Sequence, residues 1–83
     1  MEDSYLLDKI AAALQHICEE HHFEKIEEAV IEVSYNSSIE SEDLHQYLVE
    51  IIPLLVDRCT IITVKKKELR EEMAVIYMLK GQS

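Results

Sequence analysis

Residues 27–35 read EEAVIEVSY, and residues 36–38, NSS, separate them from a second apolar segment, ESEDLHQYLVEIIPLL, at residues 40–55. In the first segment every second residue is apolar, and the residues between are mostly polar. This period of two predicts a strand over Glu27–Tyr35 with one covered side. The short polar side chains of residues 36–38 compete for backbone hydrogen bonds and predict the end of that strand.

The second segment has the spacing of an amphipathic helix. Ser41 is the predicted N-cap, and the carboxylates of Glu42 and Asp43 complement the positive end of the helix dipole. Pro53 cannot donate a backbone hydrogen bond, so the helix is predicted to end or kink close to Ile52. The predicted apolar stripe consists of Leu44, Tyr47, Leu48, Ile51 and Leu55.

A helix is also predicted ahead of the strand, over residues 4–21. Asp3 and Ser4 are both N-cap residue types, and apolar residues follow at intervals of three and four. The predicted buried stripe consists of Leu6, Leu7, Ile10, Leu14, Ile17 and Cys18.

The C-terminal part contains two further apolar runs. Residues 59–66 are rich in β-branched side chains and predict a strand, and the opposite faces of Ile61 and Ile62 indicate burial on both sides. Residues 74–79 have no polar face, which favours a strand paired with the preceding one. Residues 67–80 also have helix-forming composition, with Gly81 placed as a helix C-cap, so a helix remains the alternative.

These segments predict one α+β domain over residues 1–83, with the order helix, strand, helix, strand, strand. Two helices would pack on one face of a three-stranded sheet. Nothing in the chain would cover the other face, where one of Ile61 and Ile62 and one of Ile76 and Tyr77 must lie. A protein partner is the natural cover, and a homodimer is its simplest source.

Charge narrows the classes of partner. The 83 residues include 17 acidic and 8 basic side chains, a formal net charge of −9. Such a chain repels phosphate backbones and anionic lipids, so neither nucleic acid nor a membrane surface is an expected partner. Lys65, Lys66 and Lys67 are followed at once by Glu68, which predicts a solvated turn. The acidic N-terminus and the lack of a membrane-spanning apolar run predict a cytoplasmic protein.

No catalytic residue and no cofactor site is predicted. Cys18 and Cys59 are expected to be buried, reduced thiols. His21 and His22 are neighbours on a helix end and point about 100° apart, so they cannot easily share one metal ion. His16 and Glu20 are four residues apart and form at most half a site.

The order of elements and several local stretches resemble the N-terminal domain of HypA, the nickel metallochaperone family of hydrogenase and urease maturation. The likeness runs without gaps from Met1 to about Leu48 and is generic from Cys59 onward. It implies the same helix-strand-helix-strand-strand fold. The stretches that resemble the family are Leu6, Ala29–Val33, Ser37–Ile39 and Leu44.

The metal-binding residues of that family are missing. HypA proteins begin Met-His-Glu and hold nickel with the histidine and the amino terminus, whereas Glu2 follows Met1 here. A carboxylate is a poor replacement for a nitrogen ligand of nickel. The chain also lacks the two CxxC pairs of the family's zinc ribbon, and Ser34 stands where a glycine commonly follows the family's first strand.

The resemblance therefore implies a non-enzymatic protein-interaction module, an accessory or adaptor in metalloenzyme maturation without nickel or zinc. Its expected partner is a maturation GTPase or a metalloenzyme subunit. One alternative is a small metal-binding protein that uses the amino terminus, with Glu2, together with His21 and His22. Another is a self-associating structural module unrelated to HypA, in which residues 68–80 form a helix.

Overall fold

Five elements follow one another in the computed structural model, which describes residues 4–70 and 73–83. Their order and the α+β class are those predicted. The C-terminal segment is a strand, so its helical alternative is wrong. The elements are α1 (Ser4–His21), β1 (Lys25–Ser34), α2 (Ser41–Ile51), β2 (Ile61–Lys67) and β3 (Ala74–Gln82).

The sheet has the order β2-β1-β3, with β2 parallel and β3 antiparallel to β1. The expectation that β3 pairs with β2 is wrong. Helix α2 supplies the crossover that the parallel pair β1–β2 requires. The most completely buried strand, β1, takes the central place, where both rows of its backbone groups find partners in the sheet.

Both helices lie on one face of the sheet, as predicted. Ala29, Ile31 and Val33 of β1 point into this layer and are fully buried. Tyr35, the fourth predicted member of that row, follows the end of β1 and is exposed. Helices α1 and α2 are also joined directly, because the Tyr47 hydroxyl donates a hydrogen bond to Asp8 Oδ1. From α1, the buried residues of the core are Leu6, Ile10, Ala11, Leu14 and Cys18.

Helix α2 ends close to Ile52 as predicted, but its N-cap and one residue of its apolar stripe differ from the prediction. Ser41 is not its N-cap: Glu40 holds that position without a side-chain cap, and Ser41 Oγ instead accepts a hydrogen bond from Val64 N at 2.8 Å. The helix ends at Ile51, just before Pro53. Ile51 is exposed, contrary to the predicted stripe, because Ile52 fills the core in its place.

A tight turn at residues 57–60 leads from α2 into β2. Thr60 is buried, and its Oγ1 donates to the carbonyl oxygen of Ile26 at 2.8 Å. Thr60 Oγ1 in turn accepts a hydrogen bond from Asp57 N at 3.1 Å. One hydroxyl therefore attaches this turn to the start of β1.

The single glycine is explained by a close contact. A Cβ atom at Gly81 of β3 would overlap the ring of Phe23, which packs against this end of the sheet. The adjacent backbone is held by a hydrogen bond from Glu24 N to the carbonyl oxygen of Gln82 at 2.6 Å. The glycine thus makes room for an aromatic ring and does not cap a helix.

Neither helix in the described part of the chain is both long and apolar enough to span a bilayer.

We predict that Thr60→Val lowers the free energy of unfolding by roughly 1–3 kcal/mol, the cost of leaving buried polar groups without partners. Urea denaturation followed by circular dichroism measures this loss. Thr60→Ser keeps the hydroxyl and should retain most of the stability. Equal losses in both variants would show that the hydrogen bonds do not matter.

Candidate interaction surface

The sheet presents a second set of side chains on the face away from the helices. Alternation along β1 places Glu28, Val30 and Glu32 there, and the parallel register sets Ile61, Thr63 and Lys65 of β2 beside them. We call this surface the open face. Its members are Glu28, Val30, Glu32, Ser34, Ile61, Thr63, Lys65, Lys67, Val75, Tyr77, Met78 and Lys80.

Large apolar side chains on the open face are in contact with solvent. Tyr77 is 64% exposed, Ile61 57% and Val75 37%. Ile62, on the helix side of β2, is only 8% exposed. The prediction that β2 is buried on both sides is therefore wrong for this chain alone. The prediction of a sheet face that no helix covers is confirmed for the described residues.

The charge of the open face differs from that of the remaining chain. It carries three lysines (Lys65, Lys67 and Lys80) against two glutamates (Glu28 and Glu32), a net charge of +1. Since the whole sequence has a formal net charge of −9, the other residues together carry −10. The open face is thus a nearly neutral area, with charges of both signs, on an acidic protein.

Two contacts organise these charges. Glu32, at the centre of the sheet, has a side chain only 10% exposed, and Lys67 Nζ lies 3.8 Å from its Oε2. Lys65 Nζ lies 5.6 Å from the centroid of the Tyr77 ring, within the range of a cation–π interaction. The lysines of β2 therefore reach across the face toward β1 and β3.

The three consecutive lysines belong to β2 and do not form the solvated turn that was predicted. Lys65 and Lys67 lie on the open face, whereas Lys66 points to the helix side. There its Nζ donates to the carbonyl oxygen of Ser37 and lies 3.4 Å from that of Ile39. The alternation of the strand thus divides one basic run between two surfaces.

Both edge strands have features that oppose the addition of a further strand. On β2, Val64 N is already bound by Ser41 Oγ, and lysines occupy the second half of the strand. On β3, the register shifts beside Tyr77, which marks a bulge. Bulges and edge lysines are the usual means by which sheets avoid pairing edge to edge. The face, more than either edge, is therefore the candidate interaction surface of the sheet.

The histidines considered as metal ligands do not converge. His21 stacks on Phe23, with ring centroids 5.5 Å apart, while His22 follows the end of α1 with a φ of 59°. His16 Nε2 lies 3.3 Å from Glu20 Oε2 on the exposed side of α1. Among residues 4–70 and 73–83 there is no group of three metal-ligating side chains. Glu2 lies outside the described residues.

The two cysteines have different environments. Cys18 is buried in the core as predicted, and burial raises the pKa of its thiol. Cys59 is exposed, contrary to the prediction, because it lies in the turn before β2 and not within the strand. Both thiols are free.

Sequence reasoning missed a polar cluster at this turn. Asp57 forms an ion pair with Lys25, and its Oδ1 accepts hydrogen bonds from Cys59 N at 2.8 Å and Thr60 N at 3.2 Å. The hydrogen bond from Lys25, followed by that from the Cys59 backbone, lowers the pKa of Asp57. The same hydrogen bond raises the pKa of Lys25. An aspartate three residues before a threonine, ahead of a β-branched run, is a turn signal that points to this cluster.

No protein-family model, no curated protein and no solved structure matches this chain.

The lowered pKa of Asp57 predicts a stability that depends on pH. The ionised carboxylate contributes stability above the unfolded-state pKa of about 4, and this contribution is lost as pH falls through the lower folded-state pKa. Asp57→Asn should therefore flatten the fall in stability on acidification, measured by urea denaturation across this range. Glu50→Gln removes the same charge from an exposed position of α2, away from the helix N-terminus, and should leave the slope as in the unchanged chain. A slope that is the same in all three proteins would contradict this role.

Proposed function

We propose that this chain is a non-enzymatic protein-interaction module that binds its partner through the open face. The observation that carries the proposal is the exposure of Tyr77, Ile61 and Val75 on the sheet face that neither helix covers. Exposed apolar side chains bordered by polar groups are characteristic of protein contacts, and tyrosine is enriched in them.

Binding takes place by packing of a partner onto the face, not by addition of a strand. Strand addition needs an unprotected edge. Here the Ser41–Val64 hydrogen bond and the lysines protect β2, and the bulge at Tyr77 twists β3. The lysines around the apolar residues would form a polar rim around the contact.

The pathway that we propose is metalloenzyme maturation, with this chain as an accessory or adaptor protein. This part of the proposal rests on the resemblance of residues 1–48 to the HypA domain. The partner would be a maturation GTPase or a metalloenzyme subunit. With Glu2 at the position of the family's nickel-binding histidine, the chain would act by contact and would not carry the metal.

The matched pair Tyr77 and Tyr5 provides the test. Both side chains are 64% exposed, and each has a lysine Nζ beside its ring, Lys65 at 5.6 Å and Lys9 at 5.3 Å. Tyr77 lies on the open face, whereas Tyr5 lies on α1. A change to lysine adds the same charge to the same side chain at both positions.

We predict that Tyr77→Lys weakens binding to the partner at least tenfold, or about 1.4 kcal/mol, because buried interface tyrosines dominate binding energies. The measurement is isothermal titration calorimetry with the purified maturation GTPase and metalloenzyme subunit of the same host. Tyr5→Lys should bind as the unchanged chain does. Equal affinity of all three proteins would contradict the use of the open face, and lack of binding by the unchanged chain would contradict the pathway.

A further inference from the structure

A second apolar surface lies on the helix side of the sheet, where the C-terminal ends of α1 and α2 come together. It is a groove of about 340 Å³. This volume is close to the lower limit of about 300 Å³ for ligand-binding clefts, so the groove has room for a few apolar side chains and not for a large ligand. Its lining consists of Gln15, Cys18 and Glu19 of α1, Phe23, and residues 51–55.

Two aliphatic side chains of the groove are exposed and do not pack against the core. Leu54 is 87% exposed and Ile51 52%. Their neighbours differ: Ile52 is buried in the core, and Leu55 packs against it. Among the described residues Leu54 is the most exposed large apolar side chain. Exposed apolar side chains that line a concave surface are characteristic of binding sites.

The groove borders an end of α2 that lacks hydrogen-bond donors. Pro53 has no N–H for the carbonyl oxygen of Val49. In the described part of the chain no backbone hydrogen bond reaches the carbonyl oxygens of Glu50 or Ile51 either, whereas two such bonds cap the end of α1. These carbonyl groups carry the negative end of the helix dipole, and α2 has no basic residue in its last turn to complement it.

The charged side chain of the groove has the same sign as this helix end. Glu19 is exposed, and no lysine, arginine or histidine side chain lines the groove. A carboxylate and free carbonyl oxygens beside exposed aliphatic side chains are complementary to a large aliphatic residue next to a lysine or an arginine. The side chains of these two basic residues are hydrogen-bond donors only, and they commonly bind the last carbonyl groups of a helix.

We propose that this groove binds a short, basic, amphipathic segment of a protein partner. Aliphatic side chains of the segment enter the groove, and its lysines or arginines contact Glu19 and the carbonyl end of α2. Amphipathic helices bind grooves in this way, with apolar anchors three or four residues apart. The inference goes beyond the proposed function, because it adds a binding surface that does not include the open face.

Amide NMR spectra of the full chain, titrated with three synthetic helical peptides, test the inference. The first peptide contains leucine, lysine and alanine and has about 15 residues, the length at which isolated helices begin to be stable in water. The second has glutamate in place of every lysine, and the third has alanine in place of every leucine. We expect the first to shift the signals of Glu19, Ile51 and Leu54 saturably below about 1 mM, with dissociation constants at least tenfold larger for the other two.

The peptide without leucine controls for the attraction of any basic peptide to an acidic chain. Equal affinity of this peptide would show that charge alone acts, and equal affinity of the glutamate peptide would show that the charge of the groove has no effect. Either result would overturn the inference, as would shifts confined to residues outside the groove. Shifts of Ile51 and Leu54 that depend on the concentration of the protein alone would indicate a second copy in the groove and would also overturn it.

Leu54→Lys and Ile61→Lys provide a matched pair of variants, because each replaces an exposed aliphatic side chain with lysine. Leu54 lines the groove, whereas Ile61 lies on the open face. Leu54→Lys should weaken binding of the first peptide at least tenfold, and Ile61→Lys should bind it as the unchanged chain does. Glu19→Gln should weaken it roughly two- to fivefold, the effect of one exposed charge pair. Equal affinity of Leu54→Lys and the unchanged chain would contradict the groove.

The same variants separate this inference from the proposed function. Tyr77→Lys and Ile61→Lys change the open face and should spare the peptide, while Leu54→Lys should spare the contact of a maturation partner with the open face. A chain that binds the peptide in the groove but neither maturation protein supports the groove and overturns the proposed pathway. A chain that binds a maturation protein through Tyr77 but does not bind the peptide overturns the groove alone.

Discussion

The burial of β1 beneath two helices is the constraint on which the rest of the structure depends. Three residues of β1 are fully buried: Ala29, Ile31 and Val33. They belong to one core cluster with apolar residues of both helices and of β2. Hydrophobic burial is the main favourable term in folding, and the central strand joins the core residues of both helices to those of the flanking strands. The helices then take the one side of β1 on which these residues lie, and residues 4–70 and 73–83 form no further element for the other side.

One-sided cover explains the character of the remaining surface. The open face must tolerate water, and it therefore carries lysines and glutamates between its apolar residues. The edges must avoid uncontrolled pairing, and they carry a bound Val64 N–H and a bulge. Ser41 is an example. Its hydroxyl accepts the hydrogen bond from Val64 N at the edge of β2, and the N-terminus of α2 has no side-chain cap.

Local periodicity predicts the elements of this chain well, because each helix and strand contacts the core along one face. The period of two in residues 29–33 and the intervals of three and four in α1 report that contact directly. Local periodicity does not predict how the strands pair. Whether β3 pairs with β2 or with β1 depends on which arrangement buries more apolar surface, and the local sequence pattern does not indicate this. The hydrogen bonds from Val64 N to Ser41 Oγ and from Thr60 Oγ1 to the Ile26 carbonyl oxygen likewise join residues far apart in sequence.

The same limit applies to the candidate surface. An uncovered face can be predicted from a count of helices and strands, but the register of the strands determines which residues lie on it. Lys65, Lys66 and Lys67 resemble one basic cluster in sequence, and only the strand conformation separates them onto two sides of the sheet. Cys59 lies two residues before β2 begins, and Ile51 is the last residue of α2; at such boundaries a shift of one or two residues reverses exposure.

Glu32 sets the kind of contact that the open face can make. Its carboxylate lies at the centre of the sheet with a side chain only 10% exposed, and its charged neighbour Lys67 is 3.8 Å away. Any cover removes more water from this pair, and the desolvation of a buried ion pair offsets much of its electrostatic attraction. The exposed apolar side chains Tyr77, Ile61 and Val75 would therefore have to supply the net affinity of such a contact. A contact of that composition resembles reversible interfaces more closely than the largely apolar interfaces of permanent dimers.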